Sequence, residues 1–379
     1  MKIEKIESWV VSKWLVVRVT CEDGTYGVGE GNFWSFADAT QVIANRLNED
    51  LKGEDSRDIE RIWNNVYRKF SFRSPALTAV ISAIDIALWD IKGKRLGVPV
   101  WDLLGGKYRQ KVRAIVLLGG GYGPTRNAEE FAAAAKNAKA DGYTALKMTP
   151  FLPNWANLSY GDLIRENTRI VEAVREAVGW DFDIGIEIHR NMIPGEAITF
   201  AKNIEKFLPY FFEDPIAPDS VLSFGEVSEK SNIPMAAGER NLNIWEFREY
   251  VEKAGVHYIR PDVGLAGGFT HLKKICALAE AHHQGIIPHA VPSGPIATAA
   301  HVQLGACVPN WEVQEHIIED QPVHSKIVNK ISTLKNGFFE IPDTPGIGIE
   351  FNETGAKQYR LSSPDMKTDL RDDGSVSLR

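Results

Sequence analysis

The sequence has few cysteines, no long apolar run and no excess of basic charge. Its three cysteines lie far apart and show no spacing typical of metal ligands, so a reducing, cytoplasmic location is expected. The N-terminal stretch alternates charged and apolar residues and lacks the apolar core of a signal peptide. The most apolar stretch, residues 80–91, is interrupted by two aspartates, so no membrane span or membrane partner is expected.

The charge balance argues against nucleic acid as a partner. The chain has 43 basic and 50 acidic residues, which gives a formal net charge of −7. Its hydrophobic content of 44% and charged content of 25% are ordinary for a globular protein. With 379 residues, the chain can bury a large core and is expected to form two domains.

Polar residues recur along the second half of the chain at nearly one spacing, each at the end of a short apolar run. They are Glu187, Glu213, Glu239, Asp262, His289 and Glu315. The intervals are 26, 26, 23, 27 and 26 residues, about the length of one strand, one crossover helix and two short loops. Acids and histidines at the C-terminal ends of parallel strands are typical of the active site of a β/α barrel.

Two further strands precede this series. Residues 113–118 and 143–148 are apolar and nearly continuous, as buried parallel strands are. Between them, Asn127 with Glu130 predicts a helix start, and Gly142 suits the helix end. The six polar residues therefore fall on strands three to eight of an α/β fold, with the barrel over residues 112–335.

Residues 1–111 have the pattern of a separate α+β unit. Residues 14–20 and 25–28 read as two strands joined by a hairpin turn, and an apolar stripe over residues 76–88 predicts a helix. The glycine- and aromatic-rich stretch 29–36 is expected to be a loop. The C-terminal segment 336–379 is expected to pack back on this unit.

Three consecutive strands end in glutamate: Glu187, Glu213 and Glu239. Neighbouring strands lie about 4.8 Å apart, so three such carboxylates repel one another unless a cation neutralises them. Mg²⁺ is the usual cation for such oxygen ligands, whereas zinc would favour cysteine and histidine. A single glutamate of this kind is more often a solvated loop residue or a salt-bridge partner; the common spacing favours the metal site.

Two imidazoles are expected to flank this metal site. His189 follows Glu187 by two residues, so on a strand both side chains point the same way. His289 lies across the ring, and Asp262 on the neighbouring strand can hold its other ring nitrogen. A histidine in the Pro-His-Ala context of His289 is more often structural when taken alone, and the neighbouring Asp262 reverses that preference. The two imidazoles suit removal of a proton beside a carboxylate and loss of a hydroxyl, with the roles of the two rings left open.

Several motifs resemble the mandelate racemase branch of the enolase superfamily. The segment AVISAIDIALWDIKGKRLGVPVWDLLGG resembles the junction between its capping domain and its barrel. The motifs FFEDP, AAGER, RPDVGLAGG, PHAVPSGPIATAA and PGIGIE are also similar to that branch. The resemblance covers nearly the whole chain, and among the branch it points to sugar-acid dehydratases such as the D-galactonate and mannonate dehydratases.

The resemblance implies a fold and a set of roles. It implies a modified (β/α)7β TIM-type barrel with an α+β capping domain, Mg²⁺ as cofactor and a homo-oligomer. Glu187, Glu213 and Glu239 correspond to the metal ligands, His289 with Asp262 to the base, and His189 to the general acid. The chain departs from the family twice. The first ligand is a glutamate where aspartate is common, and Lys147-Met148-Thr149 lacks the second lysine that racemases carry.

Further residues are candidates for substrate contact. They are Lys147, Glu315, Asn32, Trp34 and Tyr160. Lys147 and Glu315 lie at strand ends, Asn32 and Trp34 lie in the capping-domain loop, and Tyr160 lies in the long insert after strand two. Packing between domains or subunits is the alternative for the last three.

The expected function is that of a Mg²⁺-dependent aldonate dehydratase that makes a 2-keto-3-deoxy acid from a small-molecule sugar acid. A racemase or epimerase that moves a proton on one carbon is the alternative within enzymes. A non-catalytic barrel that binds sugar acids is the alternative of another class. A zinc hydrolase is disfavoured because no early strand carries a His-x-His pair.

Overall fold

The structure is a computed structural model and describes residues 1–33, 36–290, 292–318, 321–359, 361–362 and 369–377. An N-terminal α+β domain is followed by a barrel of parallel strands. Two small strands and a short helix follow the barrel. None of the described helices combines the length and the apolar character that a bilayer crossing needs.

The N-terminal domain packs helices on one antiparallel sheet. Its strands are β1 (Ile3–Val11), β2 (Trp14–Cys21) and β3 (Tyr26–Gly31), in the order β1-β2-β3. Its helices are α1 (Ala37–Leu51), α2 (Ile59–Lys69), α3 (Pro75–Leu96) and α4 (Val100–Leu103). The hairpin and the long helix α3 confirm the α+β unit predicted from the sequence.

One prediction about this domain was wrong. The glycine-rich stretch from Gly29 was expected to be a loop, but Gly29 and Gly31 belong to β3. An added Cβ at Gly29 would lie 1.8 Å from the carbonyl oxygen of Ala83, and one at Gly31 would lie 2.6 Å from that of Ala79. The glycines therefore let α3 pack directly on the strand, a close approach of two backbones that composition alone does not distinguish from a loop.

The second domain is a barrel of parallel strands. They are β4 (Lys111–Leu117), β5 (Ala145–Met148), β6 (Asp183–Glu187), β7 (Phe211–Glu213), β8 (Met235–Ala237), β9 (Tyr258–Ile259), β10 (Gly285–Ile286) and β11 (Gln314–His316). Each strand from β4 to β9 pairs with the next along the chain, and β11 pairs with β4. A parallel bridge between Ile286 and Trp311 links β10 to the chain just before β11. This closure confirms the predicted barrel.

Helices connect successive strands around the outside of the barrel, and the last helix of the series follows β11. They are α5 (Ala128–Ala140), α6 (Tyr160–Val178), α7 (Pro194–Ile204), α8 (Val221–Glu229), α9 (Ile244–Lys253), α10 (Gly268–Ala281), α11 (Pro295–Cys307) and α12 (Gln321–Ile327). The helix start predicted at Asn127 is present, since Asn127 Oδ1 accepts from the Glu130 amide at 2.9 Å. Asn243 caps α9 in the same way, and its Oδ1 accepts from the Glu246 amide at 3.1 Å. These caps satisfy amides that the helices leave unpaired.

The barrel interior is a packed core. Side chains of Ile115, Ala145, Phe211, Ala236, Ile287 and Val313 form one buried cluster. Gly185 on β6 leaves room for the ring of Phe211, since an added Cβ would lie 2.3 Å from its Cζ. Because side chains fill the interior, the polar residues at the carboxyl ends of the strands line the place where a ligand can bind.

The C-terminal elements are β12 (Leu334–Lys335), β13 (Phe338–Glu340) and α13 (Glu353–Ala356). β13 pairs with β4 of the barrel in antiparallel fashion. Farther on, the Ile347 amide donates to Asp90 on α3 at 2.9 Å, and Phe351 packs against Trp9 on β1. The segment thus contacts the barrel as well as the N-terminal domain on which it was expected to pack.

Candidate active site

Three carboxylates meet at the carboxyl ends of β6, β7 and β8. Glu187 and Glu213 end their strands and lie directly opposite each other in the parallel register. Glu239 follows β8 by two residues. One oxygen from each lies within 4.8 Å of the others, and the three residues are at most 9% exposed. The common spacing in the sequence therefore does bring the three side chains together.

This triad fits a divalent cation. Its donors are carboxylate oxygens from three rigid strand ends, which is the hard, negatively charged set that Mg²⁺ and similar ions prefer. Burial raises the pKa of Glu187, and the negative charge of Glu239 adds to the effect. Burial likewise raises the pKa of Glu213 to about 7 against the opposing charge of Arg260. Ionised carboxylates that are buried this close together are unfavourable, and a bound cation would reduce that free-energy cost.

Lys147 on β5 lies at the centre of these charges. Its Nζ is 3.1 Å from Glu187 Oε2 and 3.1 Å from Glu213 Oε2. It is also 2.5 Å from Glu315 Oε1 on β11. Burial and the charge of Arg260 act to lower the pKa of Lys147, but the carboxylates outweigh them and raise it, so the ammonium stays charged. It places a fixed positive charge beside the triad.

Arg260, just after β9, is a second buried cation that the sequence analysis missed. Its Nε donates to Glu213 Oε1 at 2.5 Å, and a terminal nitrogen donates to Glu315 Oε1 at 2.8 Å. Another nitrogen donates to the carbonyl of Ile287 at 3.0 Å. The residue precedes Asp262 by two positions in the RPD motif, so strand alternation could have indicated that it points into the ring.

Glu315 was predicted to contact substrate, and the structure surrounds it with donors. Besides Lys147 and Arg260 at Oε1, the amide of Ala290 donates to Oε2 at 2.8 Å. Burial would raise the pKa of Glu315, but the two cations outweigh it and lower it. The ionised carboxylate thus anchors Lys147 and Arg260, while substrate contact by either Glu315 or Lys147 stays a prediction.

The backbone at these strand ends is strained. His189, Arg190 and Asp214 have positive φ angles of 50°, 69° and 36°. Arg190 donates its amide to the carbonyl of Asp214 at 2.8 Å, which ties the turns after β6 and β7 together. Arg240 donates to Asp214 Oδ2 at 2.6 Å and lies 2.5 Å from Glu239 Oε1. Left-handed backbone at non-glycine residues is uncommon and concentrates at functional sites.

His289 and Asp262 form the predicted pair. His289 Nδ1 lies 2.9 Å from Asp262 Oδ2, and its Nε2 lies 3.8 Å from Glu239 Oε2. Burial would lower the pKa of His289, but the hydrogen bond to Asp262 and the charge of Glu239 outweigh it and raise it to about 9. With Nδ1 engaged by Asp262, Nε2 is the nitrogen that faces the triad.

His189 flanks the triad from the side of β6. Its Nε2 is 3.9 Å from Glu187 Oε2, and its Nδ1 is 3.3 Å from Thr149 Oγ1. The side chain is 43% exposed, unlike the metal-ligand candidates. Partial desolvation, followed by the charge of Lys147, lowers the pKa of His189 to about 4. A neutral imidazole therefore stands at the open edge of the site.

The remaining candidates lie elsewhere or contact other groups. The hydroxyl of Tyr160 donates to Thr199 on α7 at 2.6 Å, so the structure does not bring Tyr160 to the triad. The amide nitrogen of Asn32 lies 3.0 Å from Asp262 Oδ1, so Asn32 contacts the partner of His289. Trp34 lies outside the described residues.

Two protein families match this chain, one over each domain. Residues 6–105 match the family described as mandelate racemase / muconate lactonizing enzyme, N-terminal domain. Residues 130–355 match the family described as enolase C-terminal domain-like. The two matches divide the chain where the structure changes from the α+β domain to the barrel.

Solved structures are similar over nearly the whole chain. A member of the enolase superfamily from Salmonella typhimurium is 31% identical, with a TM-score of 0.89, over 95% of this chain and 98% of that one. A candidate dehydratase from Zymomonas mobilis is 31% identical, with a TM-score of 0.87, over the same shares of 95% and 98%. A candidate galactarate dehydratase from Agrobacterium radiobacter, bound to sodium and L-malate, is 26% identical over 100% of both chains, with a TM-score of 0.91. The chain therefore belongs to the mandelate racemase branch of the enolase superfamily, whose members are enzymes.

Proposed function

We propose that the protein is a Mg²⁺-dependent sugar-acid dehydratase that converts an aldonate into a 2-keto-3-deoxy acid. The observation that carries the proposal is the arrangement of two imidazoles around one acidic triad. His289, held by Asp262, lies beside Glu239, and His189 lies beside Glu187. This arrangement supports a reaction in which one ring accepts a proton and the other donates one at the edge of a shared cation site.

The first step is removal of the proton on carbon two. Neutral His289 takes this proton at Nε2, and Asp262 stabilises the imidazolium through Nδ1. A cation held by Glu239 and its neighbours would offset the negative charge that raises the pKa of His289, and so would favour the neutral ring before this step. Glu187, Glu213 and Glu239 would hold Mg²⁺, which would supply positive charge against the negative charge that develops on the substrate carboxylate. The ammonium of Lys147 adds a second, fixed positive charge on the same side of the ring.

The second step is loss of the hydroxyl from carbon three. The carbon–oxygen bond breaks as His189 delivers a proton to the departing oxygen, so water leaves. The enol that remains takes up a proton at carbon three and releases the proton of its carbon-two hydroxyl, which gives the 2-keto-3-deoxy acid. The negative charge of a bound sugar acid favours protonation of His189. Because the pKa of His189 is lowered, the protonated ring then gives up its proton readily. The partial exposure of His189 suits contact with substrate.

The similar structures support a lyase. Two of them are candidate dehydratases, and one of these holds L-malate, a hydroxy acid. A hydroxy acid has a carboxylate beside a carbon that bears a hydroxyl, which is the group that the two steps act on. Aldarates, with a carboxylate at each end, therefore belong in any substrate screen beside aldonates.

A library of aldonates, uronates and aldarates incubated with the protein and Mg²⁺ tests the proposal. Semicarbazide detects the 2-keto product, and the His289→Asn variant serves as the matched control. We expect product from at least one acid with the unaltered chain and none with the variant. If calorimetry shows bound Mg²⁺ and no acid gives product, the proposed dehydratase activity is wrong.

The same assay in deuterium oxide tests the racemase alternative. Two imidazoles on different strands can also move a proton on and off one carbon. Deuterium at carbon two of recovered acid, with inverted configuration and no keto product, would favour a racemase or epimerase over a dehydratase. Undetectable Mg²⁺ binding would instead favour a non-catalytic sugar-acid-binding barrel.

A further inference from the structure

Asn32, at the end of β3 in the N-terminal domain, contacts the catalytic pair of the barrel. Its side-chain nitrogen lies 3.0 Å from Asp262 Oδ1 and 3.3 Å from Asp262 Oδ2. The same nitrogen lies 2.9 Å from Ser293 Oγ. Asn32 is 4% exposed and Asp262 is 2% exposed, so water does not compete strongly for these bonds.

The carboxylate of Asp262 is held by donors from both domains. The Gly264 amide donates to Oδ1 at 2.7 Å, and His289 Nδ1 lies 2.9 Å from Oδ2. The side-chain nitrogen of Asn32 lies within hydrogen-bond distance of both oxygens, so it restricts the rotation of the carboxylate about its own axis. That rotation sets the direction in which Oδ2 faces the imidazole of His289.

The backbone of both partners is built for this contact. Asn32 donates its backbone amide to the carbonyl of Gly264 at 2.8 Å. An added Cβ at Gly264 would lie 2.7 Å from both Cγ and Nδ2 of Asn32, so only glycine leaves room for the side chain. The approach of Asn32 to Asp262 is therefore part of the packing between the two domains.

Glu30, two residues earlier on β3, holds the chain that follows His289. Its carboxylate accepts from the Gly294 amide at 2.6 Å, the Ile296 amide at 3.1 Å and the Ala297 amide at 3.2 Å. These amides begin α11, the helix that follows His289. One strand end of the N-terminal domain thus holds both Asp262 and the chain that leads away from His289.

We infer that Asn32 is a positioning residue for the base: it orients Asp262, and through Asp262 it orients the imidazole of His289. This role makes the N-terminal domain part of the catalytic machinery rather than only a cover for the substrate. Its kinetic consequence rests on the proposed function, whereas its structural consequence, the orientation of the His289 ring, does not.

The Asn32→Leu variant tests the inference, because leucine is close in size and cannot donate a hydrogen bond. The kinetic readout is kcat against KM for dehydration, together with exchange of the carbon-two proton in deuterium oxide. We expect kcat and the exchange rate to fall together by about 10- to 100-fold, the loss typical when an orienting hydrogen bond is removed, with KM nearly unchanged.

A spectroscopic readout does not depend on activity. The proton on His289 Nδ1, hydrogen-bonded to Asp262, gives a downfield resonance in proton NMR spectra of the full chain, identified by its loss in His289→Asn. We expect Asn32→Leu to shift or broaden this resonance. The matched control is Asn48→Leu, since Asn48 Oδ1 accepts from the Ile6 amide at 2.6 Å within the same domain and far from the pair in the chain.

The outcomes separate the two claims. If the resonance and the kcat of Asn32→Leu both match those of Asn48→Leu, Asn32 has no positioning role and the inference is overturned. If the resonance moves in Asn32→Leu alone, the inference holds even where no acid sugar is dehydrated by the unaltered chain, and only the proposed function fails.

Discussion

Arg260 and Glu213 form a fully buried ion pair, with Nε 2.5 Å from Oε1 and neither side chain exposed. The other oxygen of Glu213 lies 3.1 Å from Lys147 Nζ, on the side of the triad. Arg260 therefore fixes the orientation of the Glu213 carboxylate, which is a predicted metal ligand. A buried pair of this kind is costly to break, because loss of one partner leaves the other charge buried and uncompensated.

Replacement of Arg260 by methionine tests this relationship. Methionine keeps the unbranched stem of the side chain but leaves Glu213 and Glu315 without their shared guanidinium. We expect the free energy of unfolding to fall by about 3–5 kcal/mol. Urea unfolding in the presence of EDTA measures the change without a contribution from bound metal.

The control for this substitution is Arg248→Met on α9. Arg248 also pairs with a glutamate, Glu252, but its side chain is 60% exposed. Little change is expected there, because water screens an exposed pair. Equal stabilities of the two variants would contradict the structural role assigned to Arg260.

Glu187→Gln should abolish tight Mg²⁺ binding. The change removes one charged ligand of the triad while keeping its size, so we expect the affinity to fall by more than about 100-fold, beyond the loss typical of outer partners. Isothermal titration calorimetry measures it. Glu226→Gln on α8 is the control, since Glu226 is 57% exposed and pairs with Lys230. An unchanged Mg²⁺ affinity in Glu187→Gln would place the metal elsewhere.

The two histidines should separate proton removal from water loss. His289→Asn is expected to stop exchange of the carbon-two proton as well as turnover, with a loss of about 10²- to 10⁴-fold. His189→Asn is expected to stop water loss while leaving exchange measurable. Mass spectrometry of substrate recovered from deuterium oxide gives both rates. The opposite pattern would exchange the roles of the two rings.

Much of the site was predictable because one period repeats along the chain. Each strand–helix unit returns the chain to the same end of the barrel, so residues such as Glu187 and Glu213 are close in space when their spacing matches that unit. The same logic located His289 beside Asp262. Alternation along a strand, applied to Arg260 as well, would have added one more member of the ring.

Other features depend on closure and on contact between domains. Lys147 meets Glu315 only because β11 pairs with β4 and closes the ring. Asn32 meets Asp262 across 230 residues of sequence, and no local pattern encodes such a contact. The glycines of β3 were assigned to a loop because their purpose, close packing on α3, appears only when the helix is in place.

Asp85, where the two domains meet, is expected to make the free energy of unfolding depend on pH. It lies on α3, is 2% exposed, and its Oδ1 accepts from the Thr270 amide in the first turn of α10 at 3.1 Å. Burial raises the pKa of Asp85 from its usual 3.8 to about 7 against the hydrogen bonds from Thr270. Between these two pKa values the folded state keeps a proton that the unfolded state has released. Stability from this group therefore falls as pH rises from about 4 to about 7.

The Asp85→Asn variant should remove this pH dependence, because asparagine can accept from the same amide and does not titrate. We expect the variant to gain stability relative to the unaltered chain as pH rises through this window, by up to about 4 kcal/mol, and to gain no more above about pH 7. Urea unfolding from pH 4 to pH 8 measures the difference. Asp181→Asn is the exposed control, since Asp181 is 79% exposed and should show no such gain. The opposite outcome is a difference in the free energy of unfolding, between Asp85→Asn and the unaltered chain, that does not change with pH across this range. It would mean that Asp85 is ionised in the folded protein, because the hydrogen bonds from the start of α10 lower its pKa more than burial raises it.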